Sequence, residues 1–234
     1  MSAPAPAPAP ARVSLLDLDP SLAAVLPEEQ RETARAQLLA ATVRLHEGAW
    51  QPDRAARPGH LGFLLVAGMI ARELEVGRGQ GLELLLPGDL LRPAQEDSSS
   101  FSSARWRILR GAELAELDPG LAAQIGRFPQ LVEALLARVM QRSRSLATYG
   151  AIASVRGLDE RLLTLFWHLA ERHGSFTAEG VVLPLPLTHQ VLAELVGARR
   201  PSVSVALGRL ARAGRARRTE NGWLLERELP PELR

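Results

Sequence analysis

The stretch LTHQVLAELVGARRPSVSVALGRLARAGRARRTENGWLLE, Leu187 to Glu226, marks its own element boundaries and restricts the fold more tightly than any other part of the chain. Thr188 stands where a side-chain oxygen can accept a hydrogen bond from an unpaired N–H at a helix start, and Val191, Leu192 and Leu195 give that helix an apolar face. Gly197 breaks it. Pro201 then occupies the first position of a second helix, where its missing N–H leaves no bond unmade, and Gly214 closes that helix. Within it Val203, Leu207 and Leu210 recur at four and three residues and must face a core. Ser204, Val205, Gly208 and Arg212 take the opposite face. Two helices joined by a tight, Gly-containing turn form a helix-turn-helix. The segment Arg215 to Thr219, then Glu220, Asn221 and Gly222, then Trp223 onward predicts strand, turn and strand, because Asn-Gly is a strong hairpin signal. That hairpin is a wing.

Charge is concentrated in the same place. Every one of the 28 basic residues is arginine. Between Thr188 and Arg218 stand seven of them (Arg199, Arg200, Arg209, Arg212, Arg215, Arg217, Arg218) against one acid, Glu194, so the segment is +6. The rest holds 21 arginines against 25 acids, about −4. Such polarity suits a polyanion, and on charge alone it equally suits a solvated arginine-rich surface.

Upstream, residues 1 to about 12 alternate Ala and Pro, which favours an extended, unpacked tail. From Leu22 to His46 the spacing of Leu and Ala among charges reads as helix before Gly and Pro interrupt it. Between Leu61 and Leu117, short apolar runs (LGFLLVAGMIARELEV, GLELLLPGDLLRP, ARWRILRGAELAEL) alternate with turn residues, the rhythm of a small antiparallel barrel or roll. A polar loop, QEDSSSFSS, spans Gln95 to Ser103.

After Pro129 a helical pattern runs for about 25 residues. Steps of four and three from Val132 land on Leu136, Val139, Ser143, Leu146, Gly150 and Ala153, a heptad-like seam whose small later positions allow close backbone approach. The seam is read as a dimer interface. The alternative is packing on the barrel, a role open to the neighbouring stripe Leu131, Leu135 and Met140. A second helix, Asp159 to His173, buries Leu162, Leu163, Phe166, Leu169 and Ala170 and stops at Gly174. VVLPLPL, with alternate prolines, is an edge strand or linker.

The C-terminal segment resembles the DNA-binding domain of the Crp/Fnr family, the cyclic-AMP receptor protein and its relatives, on Thr188, Gln190, Leu192-Ala193, Gly197, Arg200, Val203-Ser204, and Leu210 with Gly214. More weakly, the long helix and LLLPGDLLRP at Leu84 to Pro93 resemble the family's dimer helix and the Pro-Gly-Asp turn of its β-roll. With the disordered Ala/Pro tail (1–14) read from composition, the resemblance implies an α+β chain with three further parts. These are an N-terminal antiparallel β-roll of the cyclic-nucleotide-binding jelly-roll type (15–127), a long dimerisation helix (128–155) and a C-terminal winged helix-turn-helix (156–234).

Two departures qualify it. Where cyclic-nucleotide binders hold phosphate with a short helix after Gly-Glu and an Arg-Ser or Arg-Thr, this chain has AQEDSSSFSSARW. The nearest candidates, Glu96 and Arg105, lack the glycine and helix that aim backbone amides at a phosphate, so control by cyclic AMP is not expected. In the recognition helix, Pro201 replaces the acid that follows the first arginine and Val205 replaces the second arginine, so the operator should differ from that of the founding members.

By resemblance and geometry, Arg200 is assigned a bidentate contact to guanine, the alternative being phosphate neutralisation alone. Pro201, Ser204 and Val205 join it at base edges. Thr188, His189, Gln190, Arg199, Ser202, Arg209, Arg217 and Arg218 are assigned to phosphate. The expected partners are double-stranded DNA, a second copy of the chain and RNA polymerase. No effector is identified.

Absent cysteines remove thiol chemistry and cysteine-ligated metal. His46, His60, His168, His173 and His189 show no metal-ligand spacing, and GRGQG at Gly77 to Gly81 is too short for a dinucleotide fingerprint, so no metal, cofactor or catalysis is expected. The N-terminus lacks a secretory signal and no stretch reaches membrane-span length, so a cytoplasmic location is expected. The competing function is a small-molecule-sensing β-roll whose helix-turn-helix is a protein interaction module.

Overall fold

A computed structural model describes residues 12–52, 58–77, 79–93 and 102–230. The Ala/Pro tail to residue 11 and Glu96 lie outside the described residues. The chain divides into two compact units, one ending at Ser143 and the other beginning at Arg144.

The first unit is built on two long strands, β4 (Gly62–Val76) and β7 (Ser102–Leu117), paired antiparallel over most of their length. Register shifts between Leu65 and Ile70 allow one strand pair to serve both halves of a roll. On β7, β2 (Leu39–Leu45) pairs with Ala112 to Glu116 and β3 (Gly48–Trp50) with Trp106 to Ile108. On β4, β6 (Leu90–Leu91) pairs with Phe63 and Leu64, and β5 (Gly79–Leu85) pairs further along. Alternation sends Leu65, Ile70, Leu85, Trp106, Ile108 and Leu114 into one apolar cluster.

A second cluster lies under short helices: α1 (Leu15–Leu18), α2 (Pro20–Ala24), α3 (Glu28–Gln37), α4 (Pro119–Ile125) and the start of α5 (Pro129–Ser154). It joins Leu15, Leu22, Leu38, Leu117, Leu121 and Leu131. The helix starts follow from sequence: Asp19 accepts from Ser21 N ahead of Pro20, and Asp118 accepts from Leu121 N ahead of Pro119. In the Pro87-Gly88-Asp89 turn, Asp89 is buried and its carboxylate accepts from Leu86 N at 2.8 Å.

Three expectations are corrected here. The tail ends earlier than residue 14, because β1 (Arg12–Ser14) pairs with Leu39 to Ala41 and Arg12 binds Asp118 at 2.7 Å. The helical reading fails over Leu39–Leu45, which is β2: Thr42 and Val43 favour extended backbone, and the pairing with β7 is long-range. Met140 is 55% exposed and does not join Leu131 and Leu135 in the core.

Where Leu85 and Ile70 point inward, so do Glu83 and Arg72, two residues away on the same faces. Glu83 is 2% exposed and accepts from Arg142 Nε at 2.6 Å, Arg142 Nη2 at 3.0 Å and Arg72 Nη1 at 3.3 Å. Arg142, on α5, also donates to the Leu90 carbonyl at 2.7 Å, and Arg72 lies over the Trp106 ring. An ion network therefore occupies part of the interior.

In the second unit, α6 (Leu158–His173) packs with a four-stranded antiparallel sheet in the order β10-β11-β9-β8. The strands are β8 (Ser175–Thr177), β9 (Gly180–Leu183), β10 (Ala216–Thr219) and β11 (Gly222–Leu225). Phe166 and Trp223 stack at its centre, 4.8 Å between ring centroids. The Val-Val-Leu run is thus not an edge strand: β9 lies between β11 and β8, and Pro184 and Pro186 fall just beyond it, where no ladder N–H is needed.

Candidate nucleic-acid interface

The two helices of the motif are α7 (His189–Leu195) and α8 (Arg200–Arg212). Thr188 caps α7 by accepting from Val191 N at 3.2 Å. Gly197 has φ 63°, a left-handed conformation that lets Ala198 N reach back to the Ala193 carbonyl at 2.9 Å and turns the chain into α8. A side chain here meets open space but strained backbone. Gly197→Ala should therefore lower the stability of the second unit by about 1–2 kcal/mol, read as a shift of its urea midpoint. No shift would show that the turn tolerates an L-residue.

Val203, Ala206, Leu207 and Leu210 are buried, so α8 turns the other side outward: Arg200, Pro201, Ser202, Val205, Gly208, Arg209 and Arg212 are exposed. Val205 is 59% exposed, high for an aliphatic residue with no partner. The side chains of Arg199 and Arg212 have no ion-pair or hydrogen-bond partner among the described residues, and Arg200 meets only the field of His189. Thr188, Gln190 and Arg199 are exposed beside this face, with Gln190 Nε2 donating to Glu194 Oε1 at 2.7 Å.

Several assigned residues are engaged within the unit. Ser204 is half-buried: its hydroxyl lies 2.8 Å from His189 Nδ1 and 3.2 Å from the Arg200 carbonyl, which places it behind the outer face rather than on it. Arg209 is held by Asp159 of α6, with Nε donating at 2.7 Å, away from the Arg199–Arg200 end. Arg218 donates to the Leu187 carbonyl at 3.2 Å and lies over the Trp223 ring at 5.6 Å. Arg217 approaches Glu179 at 3.5 Å, both well exposed.

The wing forms, but not by the turn chemistry the sequence suggests. Thr219 pairs with Gly222, so Glu220 and Asn221 make the turn and neither has positive φ. Gly222 is required for another reason: a Cβ there would lie 2.1 Å from the Leu183 carbonyl oxygen of β9. Arg215, at the base of the wing, pairs with Glu226 at 2.6 Å. Sequence reading missed Arg161, whose Nη1 donates to the Val196 carbonyl at 2.9 Å and steadies the turn between α7 and α8. Its signal is absent because the partner is a backbone atom 35 positions away.

On α5, the seam residues Val132, Leu136, Val139 and Leu146 are 40% to 59% exposed, and Ser143, Gly150 and Ala153 are exposed as well. The stripe beside them, Leu131 and Leu135, is buried in the first unit. Arg105, the candidate phosphate ligand on β7, points outward instead, where it binds Glu75 at 2.7 Å and Glu73 at 3.4 Å. No helix among the described residues is long and apolar enough to cross a membrane.

Residues 160–228, α6 through β11, match the Crp-like helix-turn-helix domain. Over 156 residues, 64% of this chain and 68% of that protein, the chain is 30% identical to the Regulatory protein CysR of Synechococcus elongatus. This chain belongs to the Crp/Fnr family. Solved structures carry the same fold at lower identity. A mutant of CooA from Carboxydothermus hydrogenoformans is 19% identical with a TM-score of 0.62, covering 81% of this chain and 84% of that one. A cyclic nucleotide-binding domain containing protein from Listeria monocytogenes is 17% identical with a TM-score of 0.62, covering 89% and 97%. The Crp/Fnr chain described here is therefore an α+β DNA-binding transcription regulator with a cyclic-nucleotide-binding fold ahead of its helix-turn-helix. Its family is one of regulators and not of enzymes.

Proposed function

We propose that this Crp/Fnr regulator binds DNA as a homodimer, setting α8 of each copy into successive major grooves of a pseudo-palindromic site. The observation that carries the reading is the outer face of α8, where the side chains of Arg199, Arg200 and Arg212 have no ion-pair or hydrogen-bond partner among the described residues and stand beside exposed Val205. Arg200 reads guanine and Val205 meets a thymine methyl, with Pro201 beside them. Thr188, His189, Gln190, Arg199, Ser202 and the wing arginines Arg217 and Arg218 hold phosphate. Ser204 acts behind this surface, and Arg209 stays with Asp159. The exposed α5 seam takes the second copy. RNA polymerase is the further partner and the cytoplasm the site of action.

Cyclic AMP does not control this protein in our reading. Arg105 faces solvent and is engaged by Glu75 and Glu73.

The test is a duplex selected by the protein from a random pool, compared with unselected duplex. Affinity should fall steeply with salt on both. Arg200→Ala should weaken binding to the selected duplex by about 1–3 kcal/mol, or about 5- to 150-fold, and relax one position, whereas Arg199→Ala weakens both duplexes alike. Equal losses for Arg200→Ala on both remove it from base reading. A flat salt dependence would return the helix-turn-helix to a protein interaction module.

A further inference from the structure

Between α7 and α8 lies a hydrogen-bond chain whose direction is fixed by proton counting. Ser204 Oγ is 3.2 Å from the Arg200 carbonyl oxygen, which only accepts, and 2.8 Å from His189 Nδ1. A hydroxyl has one proton to donate. Both contacts are satisfied together only when Ser204 donates to the Arg200 carbonyl and His189 Nδ1–H donates to Ser204 Oγ. The neutral imidazole then carries its proton on Nδ1, and Nε2 is a bare acceptor. A bare acceptor cannot bond a phosphate oxygen, which also only accepts. The imidazolium keeps Nδ1–H on Ser204 and gains a second donor, Nε2–H, which a phosphate oxygen can accept from.

We propose that His189 is a proton-linked phosphate contact, so that docking on a duplex draws one proton onto its Nε2. The inference rests on the reading that this face binds DNA. Around the ring stand Arg200 from α8, Arg218 from β10, and uncharged Trp223 from β11 and Ser204. On its own helix Glu194 is engaged by Gln190. Burial and then the two cations, Arg218 before Arg200, hold the free protein's His189 below the ordinary histidine value, so it is neutral at neutral pH. The negative charge of a phosphate offsets the two cations and hydrogen-bonds the charged form, which raises it. DNA affinity should therefore climb as pH falls through the window between the raised, bound value and the lowered, free one.

The distinction from a permanently charged contact is physiological in kind: the same surface grips DNA harder in mild acid. Because phosphate contacts are blind to sequence, a random-sequence duplex of about 30 base pairs is a sufficient probe. Fluorescence anisotropy at constant ionic strength, from about pH 5.5 to 8.5, should show wild-type affinity rising about tenfold more than that of His189→Gln as pH falls. His189→Arg, charged throughout, should bind at least as tightly as acidified wild type with a profile as flat as that of His189→Gln. Thermal melts of the three proteins verify that each is folded. Parallel slopes for wild type and His189→Gln, both binding, overturn the proton linkage and leave the DNA reading standing. No binding by any of the three, His189→Arg included, overturns both.

Discussion

Arg142→Ala is expected to destabilise the first unit by about 3–5 kcal/mol, the usual consequence of removing one partner from a buried ion pair. Glu83 is 2% exposed, and two of its three charged hydrogen bonds come from this one guanidinium, at 2.6 and 3.0 Å. Arg72 alone, at 3.3 Å and drawn toward Trp106, cannot replace them. The Leu90 carbonyl loses its 2.7 Å donor as well. Burial decides the magnitude, and the chain supplies its own control: Arg105 makes two ion pairs, but its side chain is 62% exposed, so Arg105→Ala should leave the urea midpoint close to that of wild type. Urea denaturation followed by tryptophan fluorescence reports the unit through Trp50 and Trp106, which meet edge to face at 5.7 Å. Equal midpoints for the two variants would show that the network is solvated and contributes nothing.

That network also shows where sequence reading stops. Glu83 and Arg142 are 59 positions apart, and neither sits in a motif. Each looks like an ordinary surface charge, because only the pleat of β5 and the azimuth of α5 bring them together. The helix-turn-helix was legible for the opposite reason. Thr188, Gly197, Pro201 and Gly214 act on backbone within a few residues of themselves, and Val203, Leu207 and Leu210 repeat within one helix. Strands β1 and β8 escaped notice because a three-residue strand has no period to detect, and β2 reads as helix until its partner β7 is known. Asn221-Gly222 located the wing correctly while misassigning its turn, since a glycine demanded by the Leu183 carbonyl looks in sequence like a glycine demanded by φ. At the site, the exposed arginines were visible as charge. That Ser204 bonds His189, and that Arg209 is tied to Asp159, depends on how α7 and α6 pack on α8, which no local pattern records.

Leu136→Glu should convert the protein to a monomer at concentrations where the wild type is dimeric, and should reduce affinity for a duplex carrying both half-sites by at least about 100-fold. Leu136 is 59% exposed, so the folded monomer loses little by the change, and its thermal melt should stay within about 1 °C of wild type. In a two-fold helix pair the same side chain meets its own copy, so the substitution sets two carboxylates into one apolar seam, unfavourable by both desolvation and repulsion. The seam does not end at the helix. Val132, Leu136 and Val139 share an open apolar groove of about 250 Å³ with Leu61, Leu117 and Ile125 of the same unit. A groove continuous with a heptad stripe favours a long apolar element over a small polar ligand, and a second α5 has the required period. Affinity falls because two tethered recognition helices gain an effective-concentration advantage of about 10²–10⁴ over one. Sedimentation velocity gives the assembly state, and titration against duplexes with one or two half-sites gives the coupling. A variant that remains dimeric, or a wild type monomeric at tens of micromolar, would assign the seam to another partner and leave each recognition helix to bind alone.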